Sequence, residues 1–157
     1  MSLYDWLLAL HVLSAFAWVS ALVLYSTVLA AAWGASVPSD VARLFRATKV
    51  GDVLIAVGMI GTIVFGVWLA LDEYEIWDGW IIAALVLWLA AAATGGRGGK
   101  HYNGVRDRAN ALVAEGRDEP NAELGAALRS QRGLVLHSAT VTITVILLVV
   151  MIYKPGA

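Results

Sequence analysis

The chain of 157 residues is 60% hydrophobic and 15% charged, with a formal net charge of -1 and a mean hydropathy of +0.74. Ordinary soluble domains run near 45–50% apolar and 25% charged, so this balance excludes such a domain and, lacking a basic surface, nucleic-acid binding. With no cysteine there is no disulfide framework, thiolate zinc site, iron–sulfur cluster or thiol nucleophile, and the sequence reads as a small polytopic membrane protein.

The opening Met1-Ser2-Leu3-Tyr4-Asp5 has no basic n-region, and the apolar stretch after it is too long for a signal peptide, so it is expected to stay attached as the first span. Hydropathy predicts spans over about residues 6–33, 53–71, 80–94 and 134–153, each near the ~20 residues that cross a bilayer core. The fold class this implies is all-α: an antiparallel four-transmembrane-helix bundle, one membrane domain over 1–157. Gly58, Thr62 and Gly66 recur at steps of four in the second span with Gly61 alongside, and Ser14, Ala17 and Ala21 stand in the first. Such small residues allow close helix approach, either within the chain or in a homo-oligomer. Asp52, at the start of the second span, is expected to cap the helix or to pair with Arg46 or Lys49.

After the third span, Gly95, Gly96, Gly98 and Gly99 surround Arg97 and precede Lys100. This lacks the GxxxxGK[ST] frame of a phosphate loop and reads as a flexible membrane exit with basic anchors. In the loop 97–133, Ala109, Leu112 and Val113 at helical spacing predict a short amphipathic helix over 105–115, ended by Gly116. Asp118-Glu119-Pro120-Asn121 predicts a second helix start ahead of Leu124, Ala127 and Leu128, running into the fourth span. The loop reads as an interfacial connector on the membrane surface, ahead of a docking hairpin for a membrane-protein partner.

Arg43, Arg46 and Lys49 fall in the first loop and Arg97, Lys100, Arg106, Arg108, Arg117, Arg129 and Arg132 in the third; the opposite side holds only Lys154, with Asp72, Glu73, Glu75 and Asp78 in the second loop. The positive-inside rule then puts both termini outside and the first and third loops in the cytoplasm.

Ionisable residues at membrane depth mark functional candidates. His11 lies in the first span with Ser14, Trp18 and Tyr25 on its face; His137 lies in the fourth, sharing a face with Thr140 and Thr144. Hydrogen bonding to Ser, Thr or backbone is the first reading of these histidines, ahead of cofactor ligation and proton handling. Their positions leave roughly 15 Å between them in depth, which disfavours one haem shared by both. Two sites, or one site using a single histidine, stay open. Met151 is at a depth like that of His11, and a His/Met pair could ligate haem or a soft copper ion. His101, in the third loop, reads as interfacial. No Ser-His-Asp grouping, HExxH motif or paired catalytic carboxylates occur at one depth, and the helices do not resemble an inverted-repeat transporter.

Ala9-Leu10-His11-Val12-Leu13 followed by Trp18, Arg43-Leu44-Phe45-Arg46 before a Gly-rich span, Trp80 opening the third span and Tyr153-Lys154-Pro155-Gly156-Ala157 resemble a bacterial, actinobacterial-type family of integral membrane proteins without an assigned activity, over nearly the whole chain. That resemblance implies the bacterial cytoplasmic membrane. More distantly, the first span is similar to that of the copper-resistance D family and of HemJ-type protoporphyrinogen oxidases, which carry a histidine early in a span where His11 stands. The third span, Trp80-Ile81-Ile82-Ala83-Ala84-Leu85, lacks the histidine and lysine that follow the tryptophan in HemJ-type proteins.

The leading expectation is a non-catalytic accessory protein in the lipid bilayer, serving assembly or regulation of a partner through 97–133. The alternative is a haem b- or porphyrin-binding redox-type protein with His11 as ligand, Trp18 and Tyr25 lining the pocket, and Met151 or His137 as secondary donors. Copper handling, with His11 as the metal ligand, comes third.

Overall fold

The computed structural model describes residues 2–155. Six helices follow one another: α1 (Leu3–Ala31), α2 (Pro38–Leu44), α3 (Thr48–Glu73), α4 (Gly79–Ala114), α5 (Ala122–Leu128) and α6 (Gln131–Tyr153). Their starts are written locally. Ser2 and Asp5 form a reciprocal capping box on α1, the Ser2 N–H donating to Asp5 Oδ2 at 2.7 Å and the Asp5 N–H to Ser2 Oγ at 3.2 Å. Pro38 opens α2, and the Asn121 side chain accepts from the Leu124 N–H at 2.9 Å to cap α5. Gly116, at φ +71°, takes the left-handed conformation that stops α4.

Four helices are long and apolar enough to cross a membrane, the number read from hydropathy, and the bundle is all-α. Rows of large apolar side chains such as Leu13, Phe16, Ile60, Leu89 and Ile152 stay uncovered by protein, while the helical backbone satisfies its own hydrogen bonds. The spans associate as two close pairs, α1 with α3 and α4 with α6. A Cβ on Gly58 would stand 2.5 Å from the Trp18 backbone nitrogen, and one on Gly66 would stand 2.8 Å from His11 Cε1. The small-residue face of α3 is therefore used against α1 of the same chain. Between α4 and α6, Thr140 Oγ1 donates to Thr94 Oγ1 at 3.0 Å.

The chain after the third span departs from expectation. In place of a flexible glycine exit after residue 94, α4 continues as helix unbroken for 36 residues, about 54 Å at 1.5 Å per residue. The segment 105–115 is its last part rather than a separate helix. Each glycine in a helix interior costs up to ~1 kcal/mol, but Gly95 and Gly98 face α6, at 3.2 Å from Thr140 Cγ2 and 3.5 Å from Leu136 Cβ for an added Cβ. Close helix contact offsets the propensity. Nor does α5 run into the fourth span: the chain turns at Arg129 and Ser130, and the Ser130 side chain accepts from the Gly133 N–H at 3.2 Å to start α6 afresh.

Beyond the spans, α2, α5 and the end of α4 form a cap. Its core joins Val28 of α1 and Ala32 at its C-cap, Val41 of α2 and Phe45 at its C-cap, Tyr102, Val105 and Ala109 of α4, and Leu124 and Leu128 of α5. Val105, Ala109, Leu124 and Leu128 of segment 97–133 are thus buried against α1 and α2 of the same chain, while Val113 stays 40% exposed. The Asn121 N–H donates to Ser36 O at 2.9 Å and Arg129 Nη1 to Trp33 O at 3.2 Å, tying the cap to the end of α1.

Candidate functional site

At the other end of the bundle, where the start of α1, the end of α6 and the α3–α4 connection meet, the four long helices surround a cavity of about 440 Å³. That lies within the range of small-molecule sites. It lies between the α1/α3 pair and the α4/α6 pair, and its walls are almost wholly apolar and aromatic.

His11 stands in the wall. Its ring packs over Gly66, where only a hydrogen leaves room, and its Nδ1 lies 3.0 Å from the carbonyl oxygen of Thr62. A carbonyl only accepts, so Nδ1 carries the proton and donates it, and in the neutral ring Nε2 keeps its lone pair. Nε2 makes no hydrogen bond among the described residues. This is the arrangement by which a backbone carbonyl orients a metal-ligating imidazole and fixes its tautomer. Met151 and Trp18 line the same cavity.

Three further lining residues hold buried polar atoms without a hydrogen-bond partner: Thr62 Oγ1, Trp80 Nε1 and Trp88 Nε1. A buried donor left unpaired costs about 1–3 kcal/mol, so three around one cavity form a set of groups suited to a ligand with acceptor atoms.

At the rim, Lys154 Nζ donates to the Tyr74 hydroxyl at 2.5 Å and lies 4.5 Å from the Tyr74 ring centroid and 5.4 Å from that of Trp80, within cation–π range. Tyr74 and Trp80 meet edge to face at 5.1 Å. Lys154 holds a left-handed backbone, φ 41°, which a non-glycine residue adopts at a cost.

Of the residues singled out from sequence, the fold brings His11, Trp18 and Met151 to one cavity and leaves Tyr25 and His137 outside its lining. Tyr25 donates its hydroxyl to Asp52 Oδ1, and Asp52 Oδ2 accepts from Arg106 Nη1 at 3.1 Å. Arg106 also reaches Thr48 Oγ1 at 3.3 Å. The partner of Asp52 is thus Arg106 on α4, not Arg46 or Lys49. Nor does Asp52 cap α3, which follows Ala47. His137 Nε2 lies 2.8 Å from Ser26 Oγ, whose own proton goes to Leu22 O at 2.9 Å, so the imidazole is the donor. His101 Nε2 donates to Ala127 O at 3.1 Å where α4 meets α5. Among the described residues no three His, Asp or Glu side chains are grouped to hold a metal ion.

Sequence reasoning passed over Thr62, Trp80, Trp88 and Lys154 as site residues. Trp88 carried a usable signal: it falls about 14 Å into α4, far from the interfacial belt where tryptophan is usual. No protein family, curated protein or solved structure matches the chain.

Proposed function

We propose that this is a membrane protein that binds a lipophilic cofactor in the cavity at its terminal end, with haem b the candidate and His11 Nε2 its iron ligand. The observation that carries the reading is the cavity-lining His11 whose Nδ1 is committed to the Thr62 carbonyl, leaving Nε2 as the ligating atom. Met151 supplies a second, softer donor from the opposite pair of helices, and Trp18 a flat apolar wall. Bound, haem would supply one-electron chemistry; the chain's part is to orient the imidazole and to exclude water with its tryptophans. In this reading the cavity faces outward in a bacterial cytoplasmic membrane, with both termini outside, as the distribution of Lys and Arg favours.

An accessory role through residues 97–133 finds less support, because Val105, Ala109, Leu124 and Leu128 are covered by the chain's own helices and Val113 alone among that segment's described large apolar side chains is exposed. Copper handling would rest on His11 and Met151 alone.

The test is an absorption spectrum, oxidised and dithionite-reduced, of protein purified in mild detergent from cells supplied with a haem precursor. A Soret band near one haem per chain, lost in His11→Ala and retained in His137→Ala, is the expected result. A flat spectrum from the wild-type protein overturns the haem assignment.

A further inference from the structure

The cavity is open on one side. Val12 and Phe16 of α1 and Ile152 of α6 line it, yet are 41%, 65% and 74% exposed. The opening therefore lies between α1 and α6, facing the zone that lipid covers in a membrane. At the opposite end the same two helices are held together by the Ser26–His137 hydrogen bond. A molecule reaching the cavity through this seam comes from the bilayer, so its body is lipophilic.

Among the described residues that line the cavity, Lys154 is the one Lys, Arg, Asp or Glu. Lys154 is the single Lys or Arg at this end of the bundle. Although Asp72, Glu73, Glu75 and Asp78 stand at the same end, no carboxylate lies within ion-pair distance of it among the described residues. Its ammonium is held instead by the Tyr74 hydroxyl and the faces of Tyr74 and Trp80, all lining residues of the cavity. A cation without a carboxylate partner among the described residues, fixed at the mouth of an apolar chamber containing unpaired donors, calls for a ligand with an acidic head and a lipophilic body. A lone ammonium suits a singly charged, compact head: a phosphate dianion draws on several cations or a nest of backbone N–H groups, and a phosphodiester, although a monoanion, would bring a bulky polar headgroup against almost wholly apolar walls.

We infer that the ligand of this cavity is a membrane-dissolved carboxylic acid, its carboxylate seated on Lys154 and its apolar body between the helix pairs. This rests on the reading of the cavity as a ligand site, but not on haem being the ligand: the carboxylate could belong to a porphyrin side chain or to a fatty acid.

The test uses the full chain in detergent and two acid/ester pairs: cis-parinaric acid against its methyl ester, read by energy transfer from tryptophan, and haem against its dimethyl ester, read by absorption. Expected is at least about tenfold tighter binding of the acid in one of the pairs, abolished in Lys154→Gln and restored in Lys154→Arg. Butyrate should not displace the bound acid. Preference in the parinarate pair alone assigns a fatty acid and would separate the failure of the haem reading from that of this one; preference in the haem pair assigns the porphyrin. Equal binding of acid and ester in both pairs, a preference that survives Lys154→Gln, or displacement by butyrate overturns the inference.

Discussion

The two ends of the bundle handle the same kind of material differently. At the cap end, α1, α2, α4 and α5 close around Phe45, Tyr102, Ala109 and Leu124, each at most 2% exposed, and the charge of Asp52 is met by Arg106 and Tyr25. At the terminal end, α3, α4 and α6 still meet through Ala70, Trp80 and Ile81, but the α1/α3 and α4/α6 pairs leave about 440 Å³ between them. Unpartnered polar atoms occur at both ends, Tyr102 Oη and Asn103 Oδ1 in the cap among them. Only at the terminal end do three such donors stand around a cavity. One end is packed to hold the bundle together, and the other gives up packing to make room for a ligand.

Substitutions can break that contrast. The largest effect is expected from Phe45→Ala, which empties a fully buried ring position in the cap and should cost about 3–5 kcal/mol, read as a fall in the denaturation midpoint in detergent. If the cap were loosely held, the midpoint would barely move. Gly58→Ala drives a methyl onto the Trp18 backbone and should cost about 1–3 kcal/mol by parting α1 from α3, with a shift in tryptophan emission as the accompanying signal. Wild-type stability would show that the two helices separate freely. The smallest effect is expected at the cavity: Trp88→Phe removes an indole N–H that has no partner, so lost packing and a removed desolvation cost should leave stability within about 1 kcal/mol of wild type. A loss above about 2 kcal/mol in the same denaturation would mean that this N–H is satisfied in the folded protein.

The spans could be read from the sequence because hydropathy over some twenty residues is a local property. The helix starts at Asn121 and the stop at Gly116 were legible for the same reason. The continuity of α4 was not: glycine propensity argues for a break at 95–100, and only the neighbouring α6, distant in sequence, makes those glycines useful. The Asp52–Arg106 pair was hidden by the same distance. On α1, periodicity correctly placed Ser14, Trp18 and Tyr25 on one buried face with His11, but a shared face is not a shared site. Tyr25 lies about 21 Å along the helix from His11, deep toward the cap, and His137 is as far from Met151 on α6. The lone Lys154 was visible throughout as the exception to the charge count, and only the fold brought Tyr74 and Trp80 beside it.

The unbroken α4 makes the contrast between the two ends more than a division of labour. About five turns separate Trp88, in the cavity wall, from Arg106, in the ion pair with Asp52, so the two side chains point the same way from a single rod. The cavity wall and the ion pair that ties α3 to α4 are thus built on one face of one continuous helix.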